Sequence, residues 1–257
     1  MPLLELSGVS LSFSGLRALS AISFGVDDGQ IVGLIGPNGA GKSTLLNCVS
    51  RLYRPESGTI RFNGLDLVAR KSHEVASMGI RRTFQNLELF REASVRENVA
   101  LGLVYRYRSN TLSEFLCLPA ARAMRRAADA EANEIIESCA LGEVADVRVS
   151  ELSYGLQKSV EMARALAGRP KLLLLDEPAA GMNPEESRRV TDTVRQLRDD
   201  YGISVLLVEH DMRVVMSACD RIVVLDHGEK IGEGTPAEIR RSPAVIKAYL
   251  GDEADHA

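Results

Sequence analysis

The residues best equipped for chemistry lie between Gln30 and Thr44, in the run QIVGLIGPNGAGKST. Gly36-Pro37-Asn38-Gly39-Ala40-Gly41-Lys42-Ser43 fits the pattern G-x-x-x-x-G-K-[ST], and each residue type answers a need of a bound polyphosphate. Glycines let backbone N–H groups curl around phosphate oxygens with no Cβ in the way. A helix opening near Lys42 and continuing through Thr44 turns its positive dipole end toward the same oxygens. Lys42 is the residue to reach the outer phosphates, and the Ser43 hydroxyl is the one to ligate Mg²⁺. The bland alternative is a Gly-rich turn between a strand and a helix. An eight-position match, preceded by the apolar run Ile31-Val32-Gly33-Leu34-Ile35, weighs against it. The run predicts a site for a nucleoside triphosphate.

Other polar residues follow strand-like runs in the same way. Four leucines, Leu172 to Leu175, deliver Asp176 and Glu177, and Ile203–Val208 delivers Glu209 and His210. Ile80–Phe84 delivers Gln85. Asp176 is placed to hold Mg²⁺ through its water shell, and Glu177 to polarise an attacking water. His210 alone would be a structural histidine, but after a buried strand in such a core it is a candidate for contacting the γ-phosphate. Gln85 reads equally as a solvated loop residue or as a contact to Mg²⁺ or water. Phe13 is a core aromatic or a platform for a stacked adenine, and local sequence favours the core.

Positioning these groups requires strands that alternate with helices and end on one edge, the pattern of an open parallel sheet whose ligands bind beyond the strand carboxyl ends. The amino-terminal stretch instead reads as short strands and turns: Leu3–Leu6, Val9–Phe13, Ile22–Val26 and the Asp27-Asp28-Gly29 turn. Gly58–Phe62 with an Asn63-Gly64 turn adds another strand. The middle of the chain, roughly 87–160, is helical. Ser94-Val95-Arg96-Glu97 is a capping box for a helix running to about Tyr107, and a long helix spans about 120–141. Arg106, Arg108, Arg122, Arg125 and Arg126 make this region basic, as a solvated helical face or as a face near anionic headgroups. Asn183-Pro184-Glu185-Glu186 caps a later helix, and Arg221–Leu225 with Lys230–Gly232 forms a hairpin. Residues 252–257 read as a disordered tail.

A chain of 257 residues buries a sizeable core, and a formal net charge of −4 speaks against a general nucleic-acid binder. Cys48, Cys117, Cys139 and Cys219 lack the paired spacing of a zinc site and read as reduced residues of a cytosolic protein. Met1 to Ser10 contains Glu5 and no apolar h-region, so no signal peptide is expected, and no apolar run approaches a membrane span. An N-K-x-D guanine motif is absent, which sets a GTPase aside.

Glu151-Leu152-Ser153-Tyr154-Gly155-Leu156-Gln157, just before a helix and upstream of the acidic strand, resembles the LSGGQ signature of ATP-binding-cassette (ABC) ATPases. The order agrees too: phosphate loop, Gln85, signature, Asp176-Glu177, His210. The resemblance runs from Leu3 to about Gly251. It implies an α/β phosphate-loop NTPase with a RecA-like, mostly parallel sheet, an amino-terminal antiparallel β part and an inserted helical subdomain. The core would comprise 1–86 and 161–251, and the subdomain about 87–160. It also implies ATP and Mg²⁺ as ligands, with Lys42, Glu177, His210 and Gln85 catalytic, Ser43, Gln85 and Asp176 at the metal, and Phe13 stacked on adenine. In such a family two cassettes pair head to tail, so Ser153 and Gly155 would complete a neighbour's site.

Three departures stand out: Tyr154 for the signature's first glycine, Leu156 for its glutamine, and Asn183 for the usual aspartate after Walker B. RTFQNLELFREASVRENV, the extra stretch near 104–126, DEPAAGMNP, LLVEHDM and GTPAEIRRSPAVIKAYLG resemble the ATPase subunits of branched-chain (hydrophobic) amino acid importers. That implies two membrane-spanning permeases, a substrate-binding protein, and a second, related ATPase in preference to a homodimer. It implies a peripheral location on the cytoplasmic face of the inner or plasma membrane, and no nucleic-acid partner. The competing readings are the same ATPase serving urea, short amides or lipopolysaccharide export, and a soluble ABC ATPase outside transport. The soluble class usually carries tandem cassettes or a long coiled-coil insertion, and this chain has neither.

Overall fold

The computed structural model describes residues 1–83, 89–104 and 119–254. These residues divide into two compact units, 1–82 with 171–257 and 83–170.

The first unit holds two sheets. A four-stranded antiparallel sheet has the order β2-β1-β4-β5, from β1 (Leu4–Phe13), β2 (Leu16–Val26), β4 (Ser57–Phe62) and β5 (Leu65–Asp66). The first two strands are longer than their sequence suggests. Leu3–Leu6 and Val9–Phe13, expected as separate strands, are one strand with a register shift between Leu6 and Val9, where Gly8 takes φ +63°. A bulge of this kind adds a residue without ending the pairing. The Asn63-Gly64 turn is as expected, with both residues at positive φ.

The second sheet has six strands in the order β10-β9-β3-β8-β7-β6. Its members are β3 (Ile31–Ile35), β6 (Ile80–Arg82), β7 (Leu172–Asp176), β8 (Ser204–Val208), β9 (Arg221–Asp226) and β10 (Glu229–Gly234). Pairing is parallel from β9 through β6, and only the β9–β10 hairpin is antiparallel. All residues of β3, β7 and β8 are buried, which accounts for the apolar runs Ile31–Ile35, Leu172–Leu175 and Val205–Val208, since a parallel strand is covered on both faces. Helices α1 (Lys42–Val49), α2 (Ser72–Ser77), α6 (Pro184–Tyr201), α7 (Met212–Ala218), α8 (Pro236–Ile239) and α9 (Pro243–Ala254) belong to this unit. Helix α9 runs to Ala254, three residues into the stretch expected to be a tail, because Asp252, Glu253 and Ala254 can extend a helix past the single Gly251.

The second unit is helical: α3 (Val95–Leu103), α4 (Pro119–Ser138) and α5 (Tyr154–Ala167), with 3₁₀ turns at Gly142–Val144 and Val149–Glu151. The capping box at Ser94 is formed, its Oγ accepting from the Glu97 N–H while the Glu97 carboxylate accepts from the Ser94 N–H at 2.8 Å. Because α5 continues to Ala167, the residues just after 160 group with the helices and not with the strand-bearing core. Arg125 and Arg126 are exposed on α4, as on a solvated helical face. Arg106, Arg108 and Cys117 lie outside the described residues. Cys48, Cys139 and Cys219 are free thiols. Burial pushes Cys48 and Cys139 up to about 11 and Cys219 to about 12, so all three stay protonated and unreactive near neutrality. Among the described residues no helix is long and apolar enough to cross a membrane.

Candidate functional site

The phosphate loop leaves β3 and enters α1, with its glycines in conformations closed to other residues. Gly36 has φ +151°, and a Cβ built there would meet the Leu225 carbonyl oxygen at 2.0 Å. Gly41, the residue before α1, has φ +99° and would meet the Ala18 carbonyl oxygen at 2.6 Å. Both neighbours are backbone and cannot yield, so the path of the loop depends on these two residues being glycine. Asn38 and Gly39 form its exposed tip, Pro37 is half-buried, and Ala40 is buried. Behind the loop, the Gly228 N–H donates to the Ala40 carbonyl at 3.1 Å, and Ser20 N–H donates to the Gly228 carbonyl at 2.7 Å. The His227-Gly228 turn thereby joins the loop to β2.

Lys42 is buried and donates to the carbonyls of Gly36 at 2.6 Å and Pro37 at 2.8 Å. Its ammonium is thus held over the loop's own backbone. Burial pulls its pKa below the usual lysine value, while the Glu177 and Asp176 carboxylates act in the opposite sense. Ser43 is exposed on the first turn of α1, with Thr44 half-buried beside it.

The neighbouring parallel strands bring the remaining groups to the same edge. Register pairs Asp176, the last residue of β7, with Val208, the last of β8. Glu177 follows with φ +51°, a sparsely populated conformation for a residue with a Cβ, and its N–H donates to the Val208 carbonyl at 2.9 Å. His210 Nδ1 lies 3.9 Å from Glu177 Oε1. Lys42, Asp176, Glu177 and His210 therefore come together, as the strand pattern predicts. Gln85 lies outside the described residues.

Phe13, at the end of β1, is 43 % exposed and stands edge-to-face with Tyr53, ring centroids 5.2 Å apart. A core role for Phe13 is thereby overturned: Phe13 and Leu16 pair across the tight Ser14-Gly15 turn, which leaves the ring at the exposed tip of the hairpin. Tyr53 is an aromatic neighbour that sequence reading passes over. Its only signal is its place in the loop after α1.

In the helical unit, Ser153 is the N-cap of α5 and Gly155 lies in its first turn. Ser153 and Tyr154 are exposed, so this helix presents an open amino end, where unpaired N–H groups favour an anion. Lys158 Nζ lies 5.9 Å from the Tyr154 ring centroid, a cation–π approach available because the glycine of the usual signature is a tyrosine here.

Two further residues have no role assigned from the sequence: Arg82, which it does not single out, and Glu209, which it places only as a strand-end residue. Arg82 donates from Nη2 to Asp176 Oδ2 at 2.8 Å and from Nη1 to Asn47 Oδ1 at 2.6 Å and Ser50 Oγ at 3.2 Å. It ties the acidic strand to the phosphate-loop helix. Glu209, fully buried, accepts from backbone N–H groups on two loops.

A phosphate loop on the carboxyl edge of a parallel sheet, with an acidic pair and a histidine at the adjoining strand ends, defines a phosphate-loop nucleotide hydrolase. The chain matches the ABC transporter family over residues 19–180, and the family described as branched-chain amino acid ATP-binding cassette transporter over residues 229–255. It is 41 % identical, across 98 % of each chain, to the high-affinity branched-chain amino acid transport ATP-binding protein BraF of Pseudomonas aeruginosa. Among solved structures, an ATP-binding cassette of an ABC transporter in its ADP conformation superposes with a TM-score of 0.84 at 31 % identity, covering 98 % of this chain and 99 % of that one. A dimeric cassette in a post-hydrolysis state, bound to ADP and Pi, gives 0.76 at 26 % identity over 91 % and 98 %. The chain belongs to the ABC transporter family and is an ATP-binding-cassette ATPase.

Proposed function

We propose that this chain is the ATP-hydrolysing subunit of an importer for branched-chain, hydrophobic amino acids. The observation that carries this reading is full-length similarity to BraF together with a carboxyl-terminal match to a branched-chain amino acid cassette family. That match covers residues 229–255, beyond the strand ends that carry Asp176, Glu177 and His210.

The donor set suits Mg²⁺. Ser43 supplies one hydroxyl and Asp176 one carboxylate, and no described cluster of three His, Cys, Asp or Glu offers the closed cage of a transition metal. Mg²⁺ retains waters and phosphate oxygens and so needs few protein ligands. When bound it would neutralise charge between the β- and γ-phosphates, held by Ser43 and, through water, by Asp176 and Gln85.

The chain's own residues then act by position and charge. The loop amides and Lys42 hold the β- and γ-phosphates, which requires Lys42 to exchange its two loop carbonyls for phosphate oxygens. Phe13 stacks on the adenine. Glu177 orients the lytic water and accepts its proton, and His210 steadies the γ-phosphate as charge moves onto the leaving oxygen. Ser153 and Gly155, on the open amino end of α5, contact the γ-phosphate of a partner cassette. Tyr154, Leu156 and Asn183 all lie in motifs assigned to that partner-facing side, which favours a non-identical second ATPase. Two permeases would hold the assembly on the cytoplasmic face of the membrane, with a substrate-binding protein on the other side.

Replacing Glu177 by Gln in the reconstituted transporter tests this mechanism. ATP binding should persist while hydrolysis and amino acid uptake fall by roughly 10²-fold or more, the scale of lost general-base catalysis. Hydrolysis at the parental rate would remove Glu177 from the role of base.

A further inference from the structure

We infer that Glu209 is a positioning residue for hydrolysis, its carboxylate clamping the loop that carries Glu177 to the loop that carries His210. The inference rests on the roles proposed above for those two side chains. Glu209 follows β8 and has no exposed surface. Its Oε1 accepts from the Ala179 N–H at 2.7 Å, two residues beyond Glu177. Its Oε2 accepts from the His210 N–H at 3.1 Å and the Asp211 N–H at 3.5 Å. One oxygen therefore serves each loop.

Full burial of a carboxylate is costly, and an apolar residue or a threonine would continue β8 at less expense. What a carboxylate alone provides is acceptors on both sides with no donor. A glutamine would turn its NH₂ toward an N–H group on one loop or the other. The loop held by Ala179 needs such a restraint. Glu177 sits at φ +51°, and its carbonyl accepts from the Ala180 N–H at 3.2 Å, so the turn is tight and sparsely populated. The His210 ring lies between the two acids, its Nδ1 3.9 Å from Glu177 Oε1 and 4.0 Å from Glu209 Oε2. A shift of either loop would change the spacing of the groups assigned to water and γ-phosphate, and small misplacements of such groups cost large factors in rate. Burial raises the Glu209 pKa overall, and the backbone N–H bonds from Ala179, His210 and Asp211 offset only part of that rise.

The test is a double-mutant cycle of Glu209→Gln and Glu177→Gln in the assembled transporter. We measure kcat and KM for ATP, the urea midpoint of the full chain, and hydrogen exchange of the peptide containing Ala179. For Glu209→Gln, kcat should fall by roughly 10- to 100-fold, the scale seen when groups behind a reacting constellation are removed. KM should stay put, exchange at Ala179 should accelerate, and the urea midpoint should hold or rise as a buried charge disappears. In the Glu177→Gln background the same change should cost little more. Parental kcat in Glu209→Gln would overturn the inference. So would a rate loss that is undiminished in the Glu177→Gln background, or one that tracks a lowered urea midpoint, since each marks a purely structural residue. If Glu177→Gln itself turns over at the parental rate, the mechanism proposed above fails, and the clamp then stands or falls on exchange at Ala179.

Discussion

Arg82 shows how a single side chain can set the state of a site without belonging to its motifs. Its guanidinium and the Asp176 carboxylate are 8 % and 3 % exposed, and they meet at 2.8 Å. Removing one partner of such a pair leaves a buried charge uncompensated, which costs about 3–5 kcal/mol. Arg82→Ala should therefore lower unfolding stability by about that amount in urea titration. In an Asp176→Asn background, where no charge is stranded, the same substitution should cost much less. Equal costs in both backgrounds would show that Arg82 works through Asn47 and Ser50 alone. Legibility at this scale follows chain locality. Lys42, Asp176, Glu177 and His210 were readable because each closes a recognisable apolar run or motif. Arg82, Glu209 and Tyr53 were not, because their significance rests on partners that lie tens of residues away: Asp176 for Arg82, Ala179 for Glu209, Phe13 for Tyr53.

At the scale of elements, helix starts were the most legible feature, since capping chemistry sits within four consecutive residues. Asn183 Oδ1 accepts from Glu185 N–H at 2.9 Å and Glu186 N–H at 3.0 Å, and the Glu186 carboxylate accepts from Asn183 N–H at 2.9 Å. Val190, Val194 and Leu197 then bury one face of α6, as their spacing predicts. Aspartate caps a helix as well as asparagine does, so the departure at this position leaves α6 intact. Asn183→Asp should keep the urea midpoint, whereas Asn183→Ala should cost roughly 0.5–2 kcal/mol, the worth of an N-cap. A midpoint that falls equally in both would mean that Asn183 is held by something other than its cap. Strand lengths were less legible. In β1 and β2 one face is open to solvent, so Ser and Gly interrupt the apolar alternation without interrupting the pairing.

For the molecule as a whole, the helical unit carries several exposed apolar side chains, and we propose that a permease docks on them. Asn98, fully buried, accepts from the Phe90 N–H and donates to the Phe90 carbonyl, both at 3.0 Å, which pins the backbone and leaves the ring 60 % exposed. Leu101 and Val104 are exposed as well, while Leu87 lies outside the described residues. A single exposed aromatic needs no partner, but several apolar side chains exposed on one unit are the usual mark of a contact surface. Phe90→Asp should abolish uptake in vesicles bearing the complex while ATP affinity of the subunit is retained. Loss of folding would instead make Phe90 part of the helical core. The order in which the pieces of this chain are made adds a different constraint. The helical unit interrupts the core, so both neighbours of β3, the strand that carries the phosphate loop, come late: β8 begins at Ser204 and β9 at Arg221. A ribosome adding about 5–20 residues per second takes on the order of ten to thirty seconds to go from Ile35 to Ser204. Throughout that interval an entirely apolar strand has been born without either companion, and the antiparallel sheet and helices that fold meanwhile must keep it from other chains.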